Sequence, residues 1–318
     1  ILENGEKSKY RDWYFIDGFP LKSEWGEIPN FKCFGYYGGM PKLNLKNPEV
    51  EKYITDVACY WIKECDIDGW RLDVGDEISH FFWKNFRKAV KAVKKDMLII
   101  GEIWHYAGDF LEGDEWDTVM NYPFYLNLID LLADEKITVS QFVQNLGYLK
   151  GRLHKNCYPL MWNLIDSHDT ARFLHLCNDN KKKQHLAAAF QLLLPGMPMI
   201  YYGDEYAMPG ANDPDCRRGM YWDEEYQDKE MYEWYKRLIQ VRKSHACIVE
   251  GELAGSVTED EEGTIVLIRK NGEETIAMIF NCSSSAKKFN EYTQKYNLLT
   301  ENTFDGNVEG FDAAVIVL

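Results

Sequence analysis

Three carboxylates stand where apolar strands of a predicted sheet come to an end. Asp73 closes a short strand, Glu102 closes the next, and Asp169 follows a later one. In a parallel (β/α) architecture the carboxyl ends of the strands form one rim, and active sites are built there. Arg71 lies two residues before Asp73, so both side chains point to the same side of their strand. The pattern predicts an acidic site at this rim.

The surroundings of two of these carboxylates favour opposite protonation states. The guanidinium of Arg71 would keep Asp73 ionised, whereas the apolar neighbours Ile100 and Ile103 would raise the pKa of Glu102 and keep a proton on it. An ionised and a protonated carboxyl facing each other are the groups that glycoside hydrolysis requires. A single acidic residue after a strand is more often a helix cap or a solvated loop residue, so the interpretation depends on the set.

The elements that must position these groups alternate regularly along the middle of the chain. From Pro48 onwards apolar residues recur at helical spacing, and unbroken apolar runs then alternate with helices in five strand–helix units. The predicted strands are 67–74, 97–103, 119–122, 160–165 and 197–202, and the predicted later helices are 81–94, 124–133, 183–194 and 229–243. Such an alternation is typical of a parallel sheet covered on both faces.

The two ends of the chain have a different texture. Residues 1–45 are rich in Gly, Pro and aromatic residues and show no sustained period. From residue 248 short alternating strands are separated by turns such as Asn271-Gly272, which predicts a small antiparallel β domain.

Composition excludes several classes of function. The formal net charge is −15 and no basic block occurs, which argues against partners such as nucleic acid or an anionic membrane. No apolar run is long enough to span a bilayer. The eight cysteines form no Cys-x-x-Cys pair, so neither a zinc site nor a dithiol motif is supported, and scattered thiols favour a reducing compartment. We therefore expect a cytoplasmic location.

Four segments carry a resemblance to a known family. Residues 69–74 (Gly-Trp-Arg-Leu-Asp-Val), 101–105 (Gly-Glu-Ile-Trp-His) and 167–169 (Ser-His-Asp) resemble, in order, three of the four signature segments of the α-amylase superfamily. Residues 40–44 (Met-Pro-Lys-Leu-Asn) resemble a further segment, which marks the neopullulanase, cyclomaltodextrinase and maltogenic amylase group. The resemblance extends through essentially the whole chain.

The resemblance implies a catalytic role for each matching residue. Asp73 matches the nucleophile that forms a covalent glycosyl intermediate, and Glu102 matches the general acid that then activates water. Asp169 matches the carboxylate that grips the 2- and 3-hydroxyls of the sugar. His168 matches the imidazole beside it, and Arg71 the guanidinium that orients the nucleophile.

Six further residues match positions that contact sugars in the family. They are Trp104 and His105 on the leaving-group side, Asp76 and Glu77 on the acceptor side, and Asp213 and Arg217 on the donor side. The alternatives are packing for the first pair and a loop salt bridge for the last pair. The chain has Gly75-Asp76 where the group often has Ala-Asn, which leaves the acceptor preference open.

The resemblance also implies the fold class. The family has an eight-stranded barrel whose third strand ends in an Asp-x-x-x-Asn-His segment, and no such segment occurs here. We therefore expect an α/β fold: a partial (β/α)8 TIM barrel with strands four to eight over 46–247, a small inserted subdomain over 1–45, and a C-terminal antiparallel β-sandwich domain over 248–318. We also expect the chain to belong to a longer enzyme and to be inactive, or nearly so, alone. The missing N-terminal part of the same enzyme is then a predicted partner, and a homodimer of the parent is left open.

The function implied is that of a retaining glycoside hydrolase that cleaves α-1,4-glucosidic bonds of cyclodextrins, maltooligosaccharides, starch or pullulan. The binding partners would be α-glucan oligosaccharides. No cofactor and no metal site are predicted, because carboxylates suffice for the chemistry; calcium in the parent enzyme is left open. The alternatives are a 4-α-glucanotransferase and a non-catalytic α-glucan-binding relative, against which the presence of all three carboxylates counts.

Overall fold

The computed structural model describes residues 1–23 and 27–318, which divide into two compact units. The first unit comprises Ile1–Ile100 with Gly113–Trp116, and the second comprises Gly101–Glu112 with Asp117–Leu318. The predicted subdomain over 1–45 includes residues 24–26, which lie outside the described residues. Of the helices in the described part of the chain, none combines the length and the apolarity that a membrane crossing requires.

The first unit begins with an irregular segment, as its composition predicted. Short 3-10 turns are connected by isolated antiparallel bridges, which pair Tyr14 with Leu43, Ile16 with Phe31 and Cys33 with Pro41. The segment leads directly into the first regular helix.

Two strand–helix pairs complete the first unit. They are α1 (Pro48–Cys65), β1 (Gly69–Leu72), α2 (His80–Val93) and β2 (Leu98–Gly101), whose last residue belongs to the second unit. The start of α1 is fixed by Asn47, whose side chain accepts the Glu49 N–H at 2.9 Å, and by proline in the first turn. The two helices pack together, and Asn85 of α2 donates to Glu51 of α1 at 2.6 Å. β1 lies beside β2 in the sheet.

The second unit continues the alternation with short strands. Its first nine elements are β3 (Thr118–Val119), α3 (Tyr122–Leu128), α4 (Val139–Arg152), β4 (Trp162–Asn163), α5 (Phe173–Leu176), α6 (Lys181–Leu193), β5 (Met197–Pro198), α7 (Lys229–Ser244) and α8 (Ala246–Glu250). The Met120 N–H donates to the Gly101 carbonyl at 3.1 Å, Met120 forms a parallel bridge with Trp162, and β4 pairs in parallel with β5. The predicted parallel pairing is therefore present.

Three predicted strands are shorter than expected, and one helix was missed. The strands expected over 119–122, 160–165 and 197–202 have only two residues each. The helix α4 was not predicted, although Thr138 and Gln141 form a complete capping box at its start. Gly147 and Gly151 interrupt its apolar pattern, which concealed it.

The C-terminal part of the second unit is antiparallel, as predicted. Its strands are β6 (Glu252–Glu259), β7 (Thr264–Asn271), β8 (Glu274–Asn281), β9 (Lys287–Lys288), β10 (Tyr296–Asn297), β11 (Asn302–Thr303), β12 (Asn307–Val308) and β13 (Asp312–Val317). Six of them form one sheet in the order β11-β10-β13-β8-β7-β6, and β9 pairs with β12. One face of the six-stranded sheet joins the core of α6 and α7.

The link between this sheet and the helices can be tested at Phe190. Its ring is fully buried on α6, stacks on Phe280 of β8 at 4.3 Å and contacts Phe142 at 5.0 Å. Phe190→Ala should lower the free energy of unfolding by about 3–5 kcal/mol, because it leaves a cavity in the core. Urea unfolding measures the change. The matched control Phe81→Ala, at a ring that is 68% exposed, should change stability by less than about 0.5 kcal/mol; equal losses in both would contradict the packing described.

Candidate active site

In the first unit, Asp73 follows the last residue of β1 and forms an ion pair with Arg71. The Arg71 Nη1 donates to the Asp73 Oδ1 at 2.5 Å, and the Asp73 side chain is 73% exposed. This is the same-side arrangement that the two-residue spacing predicted. The next residue, Val74, has φ +44°, a left-handed conformation that a β-branched residue rarely adopts. The chain therefore turns sharply away from β1 directly after Asp73.

The turn after Asp73 explains why the chain has a glycine at position 75. A Cβ atom built on Gly75 would lie 2.6 Å from the ring of Trp116, which is fully buried, and Trp83 donates its indole N–H to the Gly75 carbonyl at 2.9 Å. Alanine at this position would require the ring of Trp116 to move. The departure from the family pattern at Gly75 is thus a packing requirement of this chain.

The segment at 40–44 is connected to the same turn by an ion pair. Lys42 binds Glu77 through its Nζ atom, and both residues belong to the first unit. Glu77 is one of the predicted acceptor-side residues, and Asp76 beside it is exposed. Lys42 was not among the predicted site residues. Its only sequence signal was its place inside the 40–44 segment.

In the second unit, Glu102 is buried and held by an aromatic neighbour. Glu102 is 4% exposed, and the indole N–H of Trp104 donates to its Oε1 at 3.2 Å. Trp104 stacks on Tyr122 with ring centroids 4.2 Å apart and an interplanar angle of 12°. One face of Trp104 is thus packed, while the residue remains 42% exposed. His105 turns to its own loop, where its Nδ1 lies 3.3 Å from the Tyr106 carbonyl.

Four predicted residues come together around Asp169. His168 Nε2 lies 3.1 Å from Asp169 Oδ2, and Arg217 Nη2 donates to Asp169 Oδ1 at 2.9 Å. Arg217 also binds Asp213 through Nε at 2.6 Å. The four side chains are between 30% and 52% exposed, so their remaining donors and acceptors face solvent. A row of charge-assisted hydrogen bonds of this kind can bind vicinal hydroxyl groups by further hydrogen bonds.

A buried charged cluster includes residues on either side of His168 and Asp169 in the chain. Arg172 and Asp204 are almost fully buried and bind each other at 3.1 Å, and Arg172 also donates to the Tyr202 carbonyl at 2.7 Å. Asp166 accepts the Phe173 N–H at 2.8 Å. Burial raises the pKa of Asp166 to about 6, and burial together with the charge of Asp166 raises the pKa of Asp204. None of Asp166, Arg172 and Asp204 was among the predicted site residues.

The predicted residues thus lie in four local groups. The first unit holds the Arg71–Asp73 pair and the Lys42–Glu77 pair, and the second unit holds the Glu102–Trp104 pair and the group around Asp169. Over residues 1–23 and 27–318, no group of three or more His, Cys, Asp or Glu side chains could hold a metal ion.

The fold and these acidic groups define a (β/α) protein with carboxylates at its strand ends, and comparison identifies the family. The family model described as "Alpha amylase, catalytic domain" matches residues 3–227 of the chain. The chain belongs to this alpha-amylase family, which confirms the family predicted from the four segments. The family's TIM-barrel fold and the C-terminal antiparallel sheet agree with the α/β barrel class that was expected, whereas the assignment of strands four to eight stays a prediction.

Individual relatives place the chain within the predicted group. It is 46% identical over 286 residues to a cyclomaltodextrinase of Geobacillus thermopakistaniensis (90% of this chain, 48% of the relative). It is 42% identical over 282 residues to the intracellular maltogenic amylase of Bacillus subtilis (88% and 47%). A solved cyclomaltodextrinase structure matches with a TM-score of 0.94 and 36% identity, over 99% of this chain and 56% of that one. The chain spans about half the length of the relatives it matches.

The buried cluster predicts a pH dependence of stability. The pKa of Asp166 is raised above its value in the unfolded chain. Its contribution to the free energy of unfolding is therefore fully present below about pH 4 and is lost as the pH rises through about 6. Asp166→Asn keeps an oxygen that can accept the Phe173 N–H but cannot ionise. Urea unfolding between pH 4 and pH 7 should therefore show a loss of roughly 1–3 kcal/mol in the parent chain and a smaller loss in the variant, in which only Asp204 still has a raised pKa.

The matched control for this experiment is Asp305→Asn, at an exposed loop residue. It should leave the shape of the pH profile as in the parent chain. If Asp166→Asn and the parent chain lose stability equally over this range, the ionisation of Asp166 is not responsible.

Proposed function

We propose that this chain carries the catalytic residues of a retaining glycoside hydrolase that cleaves α-1,4-glucosidic bonds in cyclodextrins, maltooligosaccharides, starch or pullulan. The observation that carries the proposal is the bonded group of His168, Asp169, Arg217 and Asp213, four family-matching residues that contact one another from two separate loops. The names of the similar proteins, cyclomaltodextrinase and maltogenic amylase, support the substrate class.

In this proposal Asp73 is the nucleophile and Glu102 the general acid and base. The ion pair with Arg71 orients the Asp73 carboxylate, the group that would attack. The indole N–H of Trp104 orients the buried carboxyl of Glu102. Asp73 would attack the anomeric carbon while Glu102 protonates the leaving oxygen, and Glu102 would then deprotonate the water that hydrolyses the intermediate. Retention requires the two carboxyls about 5–5.5 Å apart.

The remaining residues would bind sugar around this pair. Asp169 would accept hydrogen bonds from two sugar hydroxyls, with His168 and Arg217 fixing its carboxylate and Asp213 fixing Arg217. The exposed face of Trp104 would stack on the leaving-group sugar beside His105. Asp76 and Glu77 would contact the acceptor sugar, with Glu77 held by Lys42. No cofactor is required for these steps.

We further propose that turnover needs structure equivalent to the half of the relatives that this chain does not span. In this view residues 46–247 supply strands four to eight of the barrel, and strands one to three come from that other half. A cytoplasmic location is also proposed. It is supported by the eight thiols, none of which forms a disulfide among the described residues, and by the word "intracellular" in the name of one relative.

The test is the release of reducing ends from β-cyclodextrin. The chain is assayed alone and after co-expression with the unmatched half of the Geobacillus cyclomaltodextrinase. We expect turnover only in the pair, and we expect Asp73→Asn and Glu102→Gln each to lower kcat by about 10²–10⁴-fold. Asp305→Asn serves as the matched control and should keep full activity.

Each other outcome contradicts one part of the proposal. No turnover by the pair contradicts the hydrolase function, and full turnover in Asp73→Asn contradicts the role of the nucleophile. Robust turnover by the chain alone contradicts the need for the second half. Longer glucans in place of new reducing ends would identify the alternative, a 4-α-glucanotransferase.

A further inference from the structure

A segment of four residues packs with a different unit from the residues on either side of it. Gly113–Trp116 belongs to the first unit, whereas Gly101–Glu112 and the chain from Asp117 onwards belong to the second. The four residues, called the 113–116 segment below, contact the helix α2 and the turn that follows Asp73. A stretch this short keeps such a place only if its own contacts hold it.

Two contacts with α2 hold the 113–116 segment. Glu115 is buried, and both of its carboxylate oxygens lie 2.9 Å from the Nδ1 atom of His80, the first residue of α2. The guanidinium of Arg87, two turns further along α2, donates to the Glu115 carbonyl at 3.1 Å. A buried carboxylate destabilises the fold unless its partners are fixed. The Glu115 side chain and backbone are therefore both anchored on α2.

The ring of Trp116 lies against the backbone of Gly75. Trp116 is 1% exposed, and its ring contacts that of Trp83 edge to face at 6.0 Å. The three atoms nearest to a Cβ built on Gly75 all belong to the Trp116 ring. The φ angle of Gly75 lies outside the left-handed region, so the ring and not the backbone conformation excludes a side chain here.

The turn that Trp116 supports begins directly after Asp73. Val74 has φ +44°, and the Ile78 N–H donates to the Gly75 carbonyl at 3.2 Å to close the turn. A left-handed conformation is unfavourable for a β-branched residue and persists only where the surrounding packing enforces it. The ring of Trp116 supplies packing at this point, and the direction in which the chain leaves Asp73 depends on it.

We propose that Trp116 is a positioning residue for the Asp73 carboxylate and that Glu115 anchors Trp116 through His80. This inference rests on the proposed function, in which Asp73 attacks the anomeric carbon, and it deepens that function by naming what holds the attacking group in place. A displacement of the reacting atoms by about 1 Å can lower a rate about 100-fold. Trp116 thus acts on the reaction through the turn, without touching the sugar.

The first experiment replaces Trp116 in the full chain, paired with the unmatched half of the Geobacillus cyclomaltodextrinase. Trp116→Ala should lower kcat for β-cyclodextrin at least about tenfold and change KM less than about twofold, because substrate still binds while the attack is misaligned. In the chain alone, mass spectrometry should show faster hydrogen exchange in the peptide that contains the Ile78 N–H. Trp234→Ala is the matched control, since Trp234 is also a packed indole, stacked on His185 at 3.8 Å, and it should change neither quantity.

The second experiment exchanges size between the two positions in contact. Gly75→Ala should lower kcat, because its Cβ displaces the Trp116 ring, and Trp116→Phe removes the outer ring atoms that this Cβ would meet. Gly75→Ala combined with Trp116→Phe should therefore have a kcat roughly fivefold above that of Gly75→Ala alone. Glu115→Ala should lower kcat by itself and add less than about twofold to Trp116→Ala, because both act through one contact.

The outcomes separate this inference from the proposed hydrolase activity. Positioning is disproved if Trp116→Ala keeps the kcat of Trp234→Ala, if it raises KM at unchanged kcat, or if Trp116→Phe does not relieve Gly75→Ala. If the parent pair releases no reducing ends, the hydrolase function fails, and hydrogen exchange decides whether Trp116 holds the turn. Unchanged exchange around Ile78 in Trp116→Ala then disproves the contact, and faster exchange that is absent from Trp234→Ala supports it.

Discussion

The buried guanidinium of Arg172 is the constraint on which the Asp169 group depends. It binds Asp204 and the Tyr202 carbonyl, and its plane lies over the rings of Tyr201 and Tyr202 at 4.3 and 4.9 Å. A buried charge lowers the stability of the fold unless its partners are held in place. Arg172 therefore connects the loop after β4 to the loop after β5. The backbone N–H of Arg172 also donates to the Gly210 carbonyl at 3.0 Å, and the chain runs on from Gly210 to Arg217.

The buried Arg172–Asp204 pair fixes the backbone that carries the exposed group around Asp169. Asp169 lies three residues before Arg172, and Arg217 follows Cys216, whose thiol donates to the His168 carbonyl at 3.3 Å. Exposed ion pairs by themselves hold side chains weakly. Here, backbone anchored on both sides brings Asp169 and Arg217 together, which makes their carboxylate–guanidinium contact a property of the fold.

Local signals in the sequence predicted several helices and the candidate site residues. The periodicity of α1, α2, α6 and α7 predicted these helices to within a few residues. Polar residues at strand ends led to the prediction of Asp73, Glu102 and Asp169 as catalytic residues, which stays a prediction. The two-residue spacing correctly predicted that Arg71 and Asp73 face the same side.

What escaped prediction depends on contacts between distant parts of the chain. Lys42 and Glu77 are 35 residues apart, and Arg172 and Asp204 are 32 apart, so no local pattern marks either pair. The length of a strand likewise depends on its neighbours, which is why apolar runs of six residues gave ladders of two at β4 and β5. The need for glycine at position 75 became apparent only with the ring of Trp116 against it.

The central claim is that Asp73 and Glu102 act as nucleophile and acid in a hydrolysis with retention, and the stereochemistry of the first product tests it most directly. The chain, paired with the unmatched half of its relative, would be mixed with β-cyclodextrin, and the anomeric protons of the new reducing ends followed by NMR before mutarotation. If Asp73 is the nucleophile, the α-anomer appears first, since two displacements restore the configuration. Initial formation of the β-anomer would show a single displacement by water and contradict the assignment of Asp73 as the nucleophile.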